Sequence, residues 1–302
     1  YEMLDKNKVK IGIAPIAWTE DDMPEMGAEN SFLQTISEIA LTGYVGTEIG
    51  CQFPKQHPEI LKKELDRRGL SAITAWISTY INEKPMWENE RAFIDHIHFL
   101  KSIGANLINT SDQSFSIQHQ WNTPLKFKRE LNDDEFEVLA KGLDHLGSIA
   151  EDFGMHIVYH HHMTTTVQRT NEIDHLMALT DPKYVNLIFD TGHLTFPGED
   201  PIEILKKHHD RIKHVHLKNV RKPIMDECYK EERSFLHSIP YGVFTIPGDP
   251  EGCVDFEEVF RLLGEYNYEG WLVVEAEQDP AVANPFDVAT IARKYVKDQI
   301  GF

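Results

Sequence analysis

The sequence predicts a single α/β domain, a (β/α)8 barrel over 1–302, on three observations. Eight short β-rich runs alternate with longer segments of helical period. Several of the runs are apolar almost throughout, as in Val185-Asn-Leu-Ile-Phe and Trp271-Leu-Val-Val, the pattern of parallel strands covered by helices. Gly43, Gly69, Gly104 and Gly154 each close a helical segment directly before the next run, where a left-handed cap turns the chain.

The elements follow in order. A first run at 9–14 precedes a helix over 31–41, whose Phe32, Ile36, Ile39 and Ala40 share one face. Runs at 44–49, 72–77 and 106–110 come next. The helix over 133–153 carries Phe136, Leu139, Leu143, Leu146, Ala150 and Phe153 as one stripe. Asp133, Asp134 and Glu135 at its start complement the helix dipole. Runs at 156–160, 185–190 and 212–217 follow. The wide interval before the last run, 271–275, reads as a long loop at about 219–252 and a helix over 255–263. A long βα-loop is expected to be functional or lid-like. The length of 302 residues leaves two domains open on its own. No Pro/Ser-rich linker and no fixed-period repeat divides the chain. The runner-up, an open doubly wound sheet, is weakened because no Gly-x-Gly-x-x-Gly follows the first run.

Composition narrows the partners. Lys and Arg total 30 and Asp and Glu 49, a formal net charge of −19. That balance argues against a nucleic-acid or anionic-membrane surface, which needs clustered Lys and Arg. Three distant cysteines, Cys51, Cys228 and Cys253, read as reduced thiols of a cytoplasmic protein. No apolar run reaches the ~18 residues of a membrane span, and the N-terminal Tyr-Glu-Met-Leu-Asp-Lys lacks a signal-peptide core. A homo-oligomer is left open.

Histidine is unevenly spread: ten of the sixteen lie between His156 and His216. In a barrel, chemistry gathers at the C-terminal ends of the strands. Here the fifth run ends His160-His161-His162 and the sixth ends Asp190-Thr191-Gly192-His193. The seventh carries His214, His216 and Lys218, and the eighth ends Glu275-Ala276-Glu277. Each residue has a structural alternative: a hydrogen-bonded core histidine, an Asp190 that caps its turn, a Glu275 in an ion pair. Convergence at one end of four successive strands favours a site. Mixed imidazole and carboxylate ligands suit Mn²⁺, Co²⁺, Fe²⁺ or Zn²⁺. His96, His98, His145, His175, His208 and His209 fall on helices and read as surface or packing residues.

Longer motifs carry a resemblance. Gly192-His-Leu-Thr-Phe, His214-Val-His-Leu-Lys, Phe244-Thr-Ile-Pro-Gly-Asp and Gly270-Trp-Leu-Val-Val-Glu-Ala-Glu-Gln-Asp-Pro, with the opening Gly12-Ile-Ala-Pro-Ile-Ala-Trp-Thr-Glu, resemble the xylose-isomerase-like TIM-barrel superfamily of sugar isomerases and epimerases. Within it they are most similar to its hydro-lyase branch. The resemblance covers nearly the whole chain. It implies a divalent metal, Mn²⁺ or Co²⁺ first and Zn²⁺ or Fe²⁺ as alternatives, on Asp190, His216 and Glu275. His160 stands where the epimerases have a fourth ligand, Glu. It either ligates or leaves the metal more water. His161 and Asn219 also depart from the pattern, which has Pro and Asp there.

The resemblance further implies loss of water from a cyclic polyol ketone, 2-keto-myo-inositol, through a metal-stabilised enolate. His162, His193 and Glu48 are candidate acid and base residues, without assignment between them. Lys218 would face oxyanion charge, or else form a buried salt bridge to Glu275 or Glu277. Trp18, Arg221 and Glu277 are candidate substrate-binding residues, with a solvated Arg221 as the alternative. A sugar or keto-sugar isomerase or epimerase is the nearest rival. An abasic-site endonuclease and a non-enzymatic metal- or sugar-binding protein are more distant ones.

Overall fold

The computed structural model describes residues 3–302. Tyr1 and Glu2, the start of the polar N-terminal segment, lie outside the described residues. Among the described residues eleven strand segments occur: β1 Val9–Ile13, β2 Gly46–Thr47, β3 Ser71–Ala72, β4 Trp76–Thr79, β5 Leu107–Asp112, β6 His156–His160, β7 Val185–Asp190, β8 Ile212–Leu217, β9 Asn219–Val220, β10 Phe244–Thr245 and β11 Gly270–Val274. Nine of them form one parallel sheet in the order β3-β2-β1-β11-β8-β7-β6-β5-β4. Its two ends, β3 and β4, are successive pieces of one stretch, so the sheet closes on itself. Thr74, between them, completes the circle: its hydroxyl donates to the Leu107 carbonyl (2.8 Å), while Ile73 N donates to the Thr47 carbonyl (2.9 Å). The predicted run 72–77 is thus one barrel strand in two segments, and eight barrel strands result.

Among the described residues eight helices cover the outside: α1 Phe32–Leu41, α2 Pro58–Arg67, α3 Met86–Ser102, α4 Asp133–Asp152, α5 Thr170–Leu179, and, counting past a short α6 at Thr191–Thr195, α7 Pro201–His208, then α10 Phe256–Glu265 and α11 Pro285–Ile300. Local chemistry starts them where the sequence requires. Ser31 caps α1 by accepting from Gln34 N, and Asn132 with Glu135 forms a capping box on α4. The glycines that end helices take positive φ, +94° at Gly43 and +71° at Gly154. The main core joins these helices to the strands, with Ile36, Phe93, Leu143, Leu176 and Val215 fully buried. Trp271 crosses the barrel beside β1 and β2, so a Cβ on Gly46 would lie 2.5 Å from its ring.

The expected long loop at 219–252 is corrected. It holds α8 Lys222–Lys230, α9 Phe235–Ser238, a 3-10 turn and an antiparallel β9–β10 pair. Phe235, Leu236, Ile239, Val243 and Phe244 form their own apolar cluster with Phe196 and Met163. A segment this apolar orders itself by burying that surface over the barrel mouth.

Candidate active site

The β-ladder registers decide what meets. A bulge between Leu187 and Ile188 in the β7–β8 pair skips Lys213, so Asp190 stands directly opposite His216. Asp190 closes β7 and caps α6, its Oδ1 accepting from Gly192 N (3.0 Å) and His193 N (2.9 Å). Its Oδ2 faces His160 Nε2 at 3.0 Å and His216 Nδ1 at 3.4 Å. Glu275, just past β11, also reaches His216 Nδ1. On the other side of that ring Nε2 meets Glu48, just past β2, at 2.8 Å, and Glu48 also accepts from His214 Nε2 (3.1 Å). All of these groups are buried.

The charges explain one another. Burial alone would raise the Glu48 carboxyl, but the imidazoles of His216 and His214 outweigh it and hold it well below the carboxylate range. Burial opposes charging of His216, yet Glu48 and Glu275 raise it well above its ordinary value. An imidazole with carboxylates at both nitrogens needs a cation somewhere, either its own proton or an ion in the cluster. His160, Asp190 and His216 each offer a ligand atom within 4.8 Å of the others. Two nitrogens with carboxylate oxygens form a donor set that fits a divalent transition metal. Glu48, bonded to the far nitrogen of His216, would then orient that ligand.

Beside this cluster, His162 and His193 pack against each other with ring centroids 3.7 Å apart and planes tilted by 33°. His162 Nδ1–H donates to the Met163 carbonyl (2.9 Å), which leaves a lone pair on Nε2. Met163 N–H donates to His193 Nδ1 (3.1 Å), which leaves the proton of a neutral His193 on Nε2. Burial pushes both rings well below the usual imidazole range, so both are neutral. Lys218 Nζ lies 3.2 Å from His193 Nε2. Burial disfavours its charge, but the Glu275 and Glu277 carboxylates hold it charged. Two donors side by side are complementary to an oxygen acceptor. Phe235 and Phe244 pack on the imidazole pair and keep it dry.

Glu48, His160, His162, His193, His216, Lys218, Glu275 and Glu277 all line one cavity of about 280 Å³, and Asp190 lies buried behind them. Lys218 forms the ion pair of the structural alternative, 2.8 Å from Glu277 Oε1. Trp18 and Arg221 are not brought to the cavity. Trp18 is fully buried, its indole donating to Glu38 (3.0 Å). Arg221 is tied to Asp249 (2.9 Å), Glu251 and the Gly242 carbonyl, and so pins the β9–β10 excursion. Asn219 is structural, bonding Ile246 O, Val220 N and Val254 N. Sequence reasoning missed Asp22, Trp76, Gln118 and His119 on the cavity wall. Only the acidic run at 20–22, placed after the first strand, carried a signal for them.

Fold and site together define a TIM barrel with a mixed imidazole–carboxylate centre at its mouth. The family described as xylose isomerase-like TIM barrel matches residues 31–299. A relative from Clostridium beijerinckii named inosose dehydratase is 53% identical over 99% of this chain and 100% of its own length. The chain belongs to the inosose dehydratases of that family. Among solved structures, the IolI protein with a bound zinc atom superposes at TM-score 0.71 over 97% of this chain and 98% of its own, with 16% identity. A sugar phosphate isomerase/epimerase from Parabacteroides distasonis does so at 0.70, over 97% and 94%, with 17% identity. At these identities the likeness is one of fold.

Proposed function

We propose that the chain removes water from 2-keto-myo-inositol, the inosose of its relatives' name, to give a trihydroxycyclohexane-1,2-dione. The observation that carries this reading is the His162–His193 pair. It presents a proton acceptor, His162 Nε2, and a proton donor, His193 Nε2–H, on one side of the cavity. Elimination needs both: the carbon beside the ketone gives its proton to His162 Nε2, and the neighbouring hydroxyl leaves as water with the proton from His193 Nε2. The C–H electron pair becomes the new C=C bond, and the resulting enol tautomerises to the second ketone. Lys218 supports the departing oxygen. An epimerase would instead place its groups on opposite faces of the carbon.

His160, Asp190, His216 and Glu275 would hold a divalent cation, Mn²⁺ or Co²⁺ by this reading, with Zn²⁺ or Fe²⁺ also suited to the donors. Bound there, it supplies Lewis-acid stabilisation of negative charge on the ketone oxygen. Glu48 orients His216 and is not itself the base. The cavity wall bears Asp21, Asp22, Glu48, Glu275 and Glu277 against Lys55 and Lys218, and no arginine. That balance disfavours phosphorylated or carboxylated sugars and supports an uncharged polyol. We read the protein as cytoplasmic from its three separate thiols. No described helix is long and apolar enough to cross a membrane.

The test is an assay with 2-keto-myo-inositol, with and without added Mn²⁺ or Co²⁺, following the ultraviolet absorbance of the diketone. Metal-dependent appearance of that band is expected. Epimerised substrate without the band, or bound metal without turnover, overturns the reading.

A further inference from the structure

A second group of carboxylates lies where the ends of β1 and β11 are neighbours. Glu20 follows the 3-10 turn Pro15–Ala17 above β1, Asp22 follows it, and Glu277 lies three residues past β11. One oxygen from each comes within 4.8 Å of the other two. Glu20 is fully buried. Its Oε1 accepts from Asp22 N (3.3 Å), and its Oε2 is buried with no hydrogen-bond partner among the described residues. Asp22 is held in place from across the cavity mouth, by His119 Nε2 on Oδ1 (2.9 Å) and Gln118 Nε2 on Oδ2 (3.1 Å). Glu277 Oε1 accepts from Lys218 Nζ, which it shares with Glu275 at 3.5 Å.

The positive charge is therefore too small for the carboxylates present. One ammonium divides between two glutamates of different clusters, and none reaches Glu20. A buried carboxylate oxygen without a donor is costly unless a cation or a proton meets it. The donors are all oxygen, unlike the mixed set around His216, and oxygen-only sites select hard cations.

We propose that Glu20, Asp22 and Glu277 form a second cation site, for a hard divalent ion such as Mg²⁺ or Mn²⁺, distinct from the His160–Asp190–His216 centre. The ion joins the first βα-loop to the end of the last strand. Through Asp22 it also fixes the contact with Gln118 and His119 over the mouth. The site does not depend on the dehydratase reading.

Equilibrium dialysis against Mn²⁺ with elemental analysis tests it. The wild-type chain is expected to hold about two ions, and Glu20→Gln and Asp190→Asn about one each. Excess Mg²⁺ should displace the ion that Glu20→Gln loses and leave the other. A melting curve without metal checks that Glu20→Gln is folded. Should it not fold, Asp22→Asn, whose side chain is only half-buried, gives the same readout. Equal ion content in wild type and these variants overturns the proposal, and the glutamates then share a proton. Failure of the first centre shows separately, as an Asp190→Asn chain that loses no ion.

Discussion

The rings of His162 and His193 lie 3.7 Å apart, tilted by 33°, and the backbone of one residue, Met163, gives them opposite tautomers. Neither ring chooses its own proton. The Met163 carbonyl keeps a proton on His162 Nδ1, and the Met163 amide excludes one from His193 Nδ1.

That division makes the two histidines separable in experiment. His193→Asn should slow water loss by about 10²–10⁴-fold, the usual worth of a positioned acid. It should still exchange the substrate's carbon-bound proton with deuterated solvent. His162→Asn should lose both reactions. Exchange that survives in His162→Asn and fails in His193→Asn would reverse the assignment. Nitrogen-15 spectra of labelled histidines read the tautomers directly.

Glu48 touches His216 through the nitrogen that faces away from Asp190 and Glu275. Glu48→Gln should therefore weaken metal binding by about 10–100-fold, as removal of an orienting carboxylate does elsewhere. Chelator competition measures it. Asp190→Asn keeps an oxygen to cap α6, so it should stay folded and lose metal-dependent turnover. Full turnover in that variant removes Asp190 from the centre.

Lys128 and Glu172 form an ion pair sealed from solvent, with side chains 1% and 5% exposed. Glu172 also accepts from Gln168 N and Arg169 N at the start of α5. Lys128→Met leaves that carboxylate buried without its cation and should cost about 3–5 kcal/mol in urea unfolding. Adding Glu172→Gln should recover part of the loss, because the remaining group is neutral and still accepts.

His161 is fully buried, and burial lowers it to about 3. Its Nε2 accepts the Asp190 amide (3.1 Å), which fixes the neutral form. The unfolded chain takes up this proton below about pH 6.5. The folded chain does not until about pH 3. Between those values the unfolded state binds more protons, so stability falls as pH falls, by up to about 1.4 kcal/mol per unit from this residue. His161→Gln keeps an acceptor for Asp190 N and has no proton to gain. Its unfolding free energy, measured with chelator from pH 5 to 7, should slope less than wild type. Equal slopes would remove His161 as the source.

Much of the fold was legible because it is local. The strand at 185–190 and the helix over 133–153 announce themselves by apolar pattern and capping residues, and the structure has both within a residue. The excursion at 219–252 was misread because its helices are short, nine residues in α8 and four in α9. Such pieces carry little periodicity and are ordered by what they pack on. Trp18, a candidate substrate-binding residue by the resemblance, is instead fully buried with its indole donating to Glu38.

The sequence by itself determined that His160, Asp190, His216 and Glu275 close neighbouring strands of one barrel, since strand position is written in the alternation of elements. Only the tertiary structure decided how they meet. A bulge sets Asp190 against His216, Glu48 arrives from β2 at the far side of that ring, and Met163 assigns the protons of His162 and His193. Register, ring orientation and tautomer depend on partners distant in the chain or on backbone groups common to every residue, and neither leaves a mark in residue type.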